Sequence, residues 1–472
     1  MSYYGSYSST RSLRKSIDWW IIIAYLVLTF TGWISIYASI HNDDSVAILD
    51  WGSRSGKQLI WIVSSLGLAA LVLFVIPPRT YETLSPLLYG IVGVLLIAVI
   101  FIGGDVKGSH SWFTFGPISF QPAEISKITT SLLLATVMSR GGFRLRGRGL
   151  WTAAAIILLP MLIIICEKET GSALVYIGFI FMLYREGLSG WLIAVGALAI
   201  LVFILTIVAS PFVGILVLAG IISLVDCILD SRVPLYLCIG VPLIVGVCFL
   251  PEGWKMPVLC SLTGLYAAFS LWKAVRGTRQ SFRRATLTTL VAGVVLVFSA
   301  GFVFNNVLKD YQKNRIEVLL GMKEDIAGAG YNVHQSKIAI GSGGFTGKGF
   351  LKGTQTAYGF VPEQSTDFIF CTVGEEAGFL GCLFVLAMYF FLITRIVRDS
   401  ERSREAFTRI YGYCLAGCLT MHLFINVGMT LGLMPVIGIP LPFMSYGGSS
   451  MWAFTIMLFI FVALDKNERK YF

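Results

Sequence analysis

GWLIAVGALAILVFILTIV, residues 190–208, runs through nineteen positions without a charged side chain. Coiled as a helix it would rise about 28 Å, close to the depth of a bilayer's hydrocarbon core. Comparable runs recur on both sides of it, along the whole 472-residue chain. Hydrophobic residues make up 56% of the chain and charged residues 13%, where a soluble domain carries about 25% charge. The mean hydropathy is +0.78. In lipid every backbone polar group must be satisfied internally, so only helices and closed barrels span. Barrel strands would read as short alternating segments, and the runs here are long and continuous. The chain therefore reads as an all-α polytopic integral membrane protein.

The runs give fourteen spans, near 18–40, 58–77, 82–103, 123–139, 150–166, 171–185, 190–208, 212–230, 234–250, 257–275, 285–304, 368–395, 407–432 and 446–464. The sixth is short, with the length of a partly re-entrant segment. The first is too long for the apolar core of a signal peptide and lacks a small-residue cleavage pattern, so no cleavable signal is expected. Charge orients the set. With the N-terminus in the cytoplasm, the inner loops and tails gather most of the 36 Lys and Arg, including Arg140, Arg144, Arg146, Arg148, Arg276, Arg279, Arg283 and Arg284. The short outer loops hold only Arg54, Lys57, Lys107, Lys168 and Lys255. This is the asymmetry of the positive-inside rule, and it places both termini in the cytoplasm. The net charge of +10 then follows from topology, and no nucleic-acid partner is required to explain it.

The nine cysteines lie in or beside apolar runs, and none forms a C-x-x-C pair. Neither a disulfide framework nor a zinc site is indicated. The four histidines are scattered and read as polar helix or loop residues.

One long polar segment remains, about 305–367, on the outer face. A loop of that length is usually functional or disordered. Tyr311, Ile316, Tyr331, Ile338, Phe350 and Phe360 are spread through it, which argues for order. Its glycines cluster in GSGGFTGKGFLKG, residues 341–353, a composition suited to tight turns or close backbone approach to a ligand. Lys337, Lys348 and Lys352, set among backbone N–H groups, would suit an anionic phosphate. The run matches neither a P-loop nor a dinucleotide fingerprint. Other acidic and basic residues stand at membrane depth near the same face: Glu124 and Lys127 one helical turn apart, Glu167 and Glu169, Glu363 and Asp367, then Glu375 and Glu376. Ionisable residues at such depth are functional candidates.

These stretches resemble the shape, elongation, division and sporulation family of membrane glycosyltransferases. The matching segments are FQPAEISK, GAGYNVHQSKIAIGSGGFTGKGFLKGTQ, FVPEQSTDFIF followed by GEE, and NVGMTLGLMPVIGIPLPFMSYGGSS. KGFLKGTQ favours the rod-elongation branch over the cell-division branch. The resemblance covers about 1–186 and 305–472. It implies a ten-span core, with 187–304 reading as five spans where one is expected, four of them extra. The implied organisation is core spans one to six in 1–186, an expanded region in 187–304, a large extracytoplasmic catalytic loop in 305–367, and the C-terminal core spans in 368–472. Four departures stand out: Asp325-Ile326 where the family often has Asp-Pro, Gly321-Met322 in place of an earlier Asp-Pro in the same loop, Ser111 where an Arg often stands, and Glu169 in place of a common Asp.

The resemblance implies polymerisation of lipid II, an undecaprenyl-diphosphate disaccharide-pentapeptide, into β-1,4 glycan strands for elongation of the wall. The donor sugar is α-linked, so one inversion requires a base on the acceptor hydroxyl and a group that stabilises the departing diphosphate. The family's acidic loop residue falls on Asp325, the expected base. Substrate contacts are expected at Gln121, Glu124, Lys127, Arg315, Gln335, Lys337, Lys348, Lys352, Gln355, Glu363, Thr366, Asp367 and Ser445. The diphosphate would be held by Lys or Arg, or by a divalent cation such as magnesium or manganese. The implied partners are a class B penicillin-binding transpeptidase and the rest of the elongation machinery, within the bilayer of a bacterial inner membrane. A lipid II flippase and a non-catalytic scaffold are the alternative readings. A transporter would carry its polar residues near the midplane, often on broken or repeated helices; here they gather near the outer face.

Overall fold

The computed structural model describes residues 17–40, 50–106, 109–115, 118–230, 240–276, 280–306 and 330–469, with single positions at 238, 313, 317 and 322. Two compact units divide it, residues 1–188 with 326–472, and residues 189–325.

The larger unit is a helical bundle. It contains α1 (Trp19–Ile40), α2 (Arg54–Phe74), α3 (Pro78–Ile102), three short strands β1 (Gly104–Val106), β2 (Ser109–Phe115) and β3 (Ile118–Phe120), then α4 (Pro122–Met138) and α5 (Arg148–Cys166). The expected sixth span is α6 (Thr170–Val175) and α7 (Phe179–Arg185), separated by a 3-10 turn at Tyr176–Gly178. In the smaller unit are α8 (Gly190–Val208), α9 (Pro211–Leu229), α10 (Val241–Cys248), α11 (Glu252–Arg276) and α12 (Gln280–Asn306). The larger unit resumes with α13 (Tyr331–Ser342), α14 (Thr354–Ala357), α15 (Ile369–Arg402), α16 (Ala406–Thr430) and α17 (Gly448–Arg469).

Among the described residues, 11 helices are long and apolar enough to cross a membrane. The three further spans read from hydropathy correspond to the 17-residue α4, the interrupted α6–α7 and the segment around α10. The fold is helical, with one addition that hydropathy did not signal. β1, β2 and β3 form a small antiparallel sheet in that order, pairing Phe113 with Phe120 and Phe115 with Ile118. Trp112, Phe113, Thr114 and Phe115 are residue types that favour a strand.

Within the larger unit α16 and α17 are the most buried of the membrane-length helices. Around them α1 packs on α15, α2 on α17, and α4 on α3 and α16. The core includes Tyr25, Leu132, Tyr176, Tyr389, Tyr411, Phe454 and Phe461. Its two ends differ in chemistry. At one end Asp18 bonds Arg395 at 2.6 Å and Arg469 at 3.2 Å, and Arg469 also reaches Asp399 and Asp465. Glu186 pairs with Arg409 beside it. α1 begins at this clasp and ends where Ser39 accepts from Gln364 of the polar loop at 2.5 Å. The loop and the Arg-rich clasp therefore lie at opposite ends of a helix about 33 Å long.

The smaller unit has its own core, Val202, Ile215, Leu218, Ile222, Val247, Leu259, Leu290 and Val297. Its ends are tied by Asp230, which takes Lys273 at 2.9 Å and also Arg283. Tyr266 donates to Asp226 at 2.5 Å.

The positive-inside rule assigns the clasp end to the cytoplasm. Single cysteines in a cysteine-free background test this. A cysteine at Lys352 should react with a membrane-impermeant maleimide from outside. Cysteines at Arg146 and Gln280 should react only after permeabilisation. Outside reaction at Gln280 would overturn the span count.

Candidate active site

Pro122 opens α4 and Glu124 follows in the first turn, where the helix dipole favours an acid. Lys127, one turn on, donates to Glu124 Oε1 at 2.8 Å. Both side chains are buried, 2% and 1% exposed. The pair expected from spacing is present, and it is larger than expected. Lys127 Nζ also lies 2.9 Å from His422 Nε2, and His422 Nδ1 lies 3.0 Å from the Pro440 carbonyl. A carbonyl only accepts, so Nδ1 carries the proton and Nε2 accepts from the ammonium. Phe454 closes the group, 4.8 Å from Lys127 Nζ and edge-on to His422. One turn along α16, Asn426 donates to Ile439 O at 2.7 Å and Asp367 O at 2.8 Å. Sequence reading passed over His422 and Asn426. Their signal was a polar i, i+4 pair on one face of an apolar helix, which says nothing of a partner 295 residues away.

Removing one member of a buried ion pair leaves an uncompensated charge. Glu124→Ala and Lys127→Ala should each lower stability, and the double variant should be less destabilised than the sum of the two. A coupling of about 0.5–3 kcal/mol is expected from thermal or denaturant unfolding in detergent. Strict additivity would show the two to be uncoupled.

The PEQSTDF and PLPFMSYGG turns interlock above this layer. Ser445 donates to Thr366 O at 2.6 Å, Tyr446 N to Ser365 O at 2.9 Å, and Thr366 to Glu363 Oε2 at 3.0 Å. Arg54 reaches in from α2 to Ser365 Oγ at 2.7 Å. Gln121 caps the start of α4, its N–H on Ser449 Oγ at 3.2 Å. Glu124, Lys127, Gln121, Glu363, Thr366, Asp367 and Ser445 are thus brought to one end of the bundle. Gln335 and Lys337 lie on α13, which is fastened there by Ser336 to Thr430 O at 3.0 Å. Lys352 is exposed. Asp325, its neighbour Glu324, and Arg315 lie outside the described residues.

The glycine-rich run departs from its expected use. α15 is broken at Gly378, whose φ of 64° and ψ of −157° are open to glycine alone. The break frees backbone groups, and the loop takes them. Lys348 N and Gly349 N donate to the carbonyls of Glu375 and Glu376 at 3.0 Å, while Phe379 N and Leu380 N donate to Gly344 O and Phe345 O at 2.9 and 3.2 Å. A side chain at Gly347 would strike the Glu376 carbonyl, so the close approach is to α15 and not to a ligand. Glu375, fully buried, then gathers Lys348 Nζ at 2.6 Å and, each at 2.9 Å, Gln355 N, Thr356 N and Thr356 Oγ1. Glu376 takes Leu351 N at 2.9 Å. These N–H groups and the Lys348 ammonium are engaged by protein acceptors. Lys337 and Lys352 have exposed side chains.

The turn between α5 and α6 carries Glu167 and Glu169. Ser111, where a family Arg was expected, donates to Glu169 Oε2 at 3.1 Å. Glu167 is 1% exposed. It lies between the spans, and burial, with the nearby Glu169 charge second, pushes its carboxyl up to about 8.

The family model for the FtsW, RodA and SpoVE cell cycle proteins matches residues 18–231 and 280–470. The chain belongs to this family. Among its relatives, the peptidoglycan glycosyltransferase MrdB of Escherichia coli K12 is 30% identical over 412 residues, 86% of this chain and 85% of MrdB. The peptidoglycan glycosyltransferase RodA of Treponema pallidum is 29% identical over 96% of this chain and 98% of its own. Two solved structures share the fold. A chain of a peptidoglycan synthase complex that coordinates polymerization and crosslinking aligns with TM-score 0.62 at 22% identity, over 96% of this chain and 98% of that one. The Thermus thermophilus rod shape determining protein RodA aligns with TM-score 0.55 at 20% identity, over 96% and 97%. At these identities the likeness is one of fold. The FtsW/RodA/SpoVE match leaves out residues 232–279, which hold α10 and α11; the family share of the chain thus extends into the region read as expansion.

Proposed function

We propose that this multi-pass membrane protein is a peptidoglycan glycosyltransferase of the elongation type, polymerising lipid II into β-1,4 glycan strands at the outer face. The observation that carries the reading is the buried layer of Glu124, Lys127, His422 and Asn426 beneath the polar segment 330–367, at the end opposite the Arg-rich clasp, in a chain of the FtsW/RodA/SpoVE family. Such a layer recognises a polar head group while the lipid tail stays in the bilayer. The chain's own residues would bind and orient the disaccharide, exclude water and accept one proton from the attacking hydroxyl, with Asp325 as the base. The departing diphosphate needs positive charge. Lys337 and Lys352 remain candidates for it. Among the described residues no group of three or more His, Cys, Asp or Glu side chains is placed to hold a metal ion. Magnesium held by one or two carboxylates and the substrate diphosphate needs no such cluster, so a chelator decides its part. A class B penicillin-binding transpeptidase is the partner we propose, because a growing strand must be crosslinked as it leaves.

The test is the purified chain in liposomes with labelled lipid II, with and without the transpeptidase and a chelator. Glycan polymer supports the reading. Translocation without polymer would make the protein a transporter, and neither result would make it a scaffold.

A further inference from the structure

Glu167 is an anomaly of packing. Its neighbour Glu169 has a donor in Ser111, and the turn between them is fixed by Lys168, at φ 62°. Glu167 itself is buried, and among the described residues neither of its carboxylate oxygens meets a hydrogen-bond donor. Asp399 at the opposite end likewise lacks an aligned donor, but Arg469 lies 3.0 Å from it. Among the described residues no such cation pairs with Glu167. Folding alone does not account for this group in either protonation state. As a carboxylate it loses hydration without compensation, and as an acid it holds a buried O–H with no acceptor. A leucine would fill the space without that cost.

The surroundings say what would complete it. Just past the turn, Gly171 lies against the 437–439 segment: a Cβ there would sit 3.0 Å from Ile437 O. That segment continues into the Ile439 and Pro440 carbonyls that hold Asn426 and His422. The same layer contains two more buried acceptor atoms with no donor, Glu124 Oε2 and Asn426 Oδ1. The layer is short of donors. An anionic phosphate supplies only acceptors and would worsen the shortage. A sugar supplies hydroxyls, and an acetamido sugar an N–H as well, at the spacing that lets one carboxyl engage two neighbouring groups.

We propose that Glu167 binds a sugar of the lipid-linked substrate, its two oxygens engaging neighbouring hydroxyl or acetamido N–H groups. This rests on the glycosyltransferase reading and adds to it a binding residue for the saccharide, distinct from the groups that hold the diphosphate. Donors brought by the sugar favour the ionised form of this buried carboxyl, and hydrogen bonds to a charged group are the strong ones, so the loss should be large in binding and small in turnover.

Glu167→Gln and Glu167→Leu are compared with the parent in lipid nanodiscs. Both should unfold at or above the parental temperature, since the unpaired carboxyl is gone. KM for lipid II should rise roughly 10–100-fold with kcat within about twofold, and Glu167→Gln, which keeps one acceptor, should lose less. Unchanged KM in both variants overturns the proposal, whatever happens to stability. Binding of intact lipid II, read by tryptophan fluorescence, separates this from the broader reading. A parent that binds without polymerising overturns the enzyme assignment alone. Variants that bind as tightly as the parent overturn the role of Glu167. Thermal stabilisation of the parent by manganese alone, lost in both variants, would assign Glu167 to a cation and overturn the sugar.

Discussion

Asp325→Asn is expected to fold, to bind lipid II as the parent does, and to polymerise it roughly 10²–10⁴-fold more slowly. The substitution keeps the shape of the side chain and removes its basicity. An unperturbed Asp has a pKa of about 3.9 and is ionised at neutral pH, able to accept the proton of an attacking hydroxyl. Inversion at a single centre needs one such base, and the sequence sets small residues close after it, the Gly-Ala-Gly of 328–330. Glu324 is the internal control, because adjacent side chains need not point the same way. Glu324→Gln should keep most activity. Polymerisation by Asp325→Asn at the parental rate would remove Asp325 as the base and return weight to a transporter or scaffold.

Glu375→Ala should release the glycine-rich loop. Glu375 is fully buried and holds one ammonium, two backbone N–H groups and a hydroxyl. Truncation leaves Lys348 without its anion and the start of α14 without its acceptor, at a cost of about 3–5 kcal/mol. Lys348→Met removes one of the donors and leaves Glu375 with the others, so its cost should be smaller, about 1–3 kcal/mol. The readouts are thermal unfolding and tryptic cleavage after Lys352, which is exposed but tied into the loop by its N–H on Gly349 O at 3.1 Å. Cleavage should be fast in Glu375→Ala, intermediate in Lys348→Met and slow in the parent. Equal cleavage in all three would mean that the clasp does not hold the loop. Polymerisation should fall with loop order, because Gln355 and Lys337 are expected to meet substrate only when the segment is fixed.

The helical membrane architecture was legible in the sequence because bilayer thickness imposes a length on apolar runs, and length is a one-dimensional property. The run at 190–208 became a helix of those bounds. The expected orientation rests on where arginine sits. The Glu124–Lys127 pair was legible too, since helical periodicity alone puts i and i+3 side by side. The small sheet between α3 and α4 was not, because three short strands bracketed by spans give hydropathy nothing to average.

Tertiary structure decided three things. Lys127 gained His422, which only the packing of α4 on α16 brings within reach. The glycines of 341–353 turned out to serve a break in α15, as no local pattern distinguishes a backbone that approaches a phosphate from one that approaches another backbone. Glu167 was visible as an acid beside a span, but its lack of a partner among the described residues exists only in three dimensions. Sequence records which groups a chain carries and the period at which it repeats them. Whether a buried group is satisfied depends on what arrives from elsewhere in the chain, and that is settled when the helices pack.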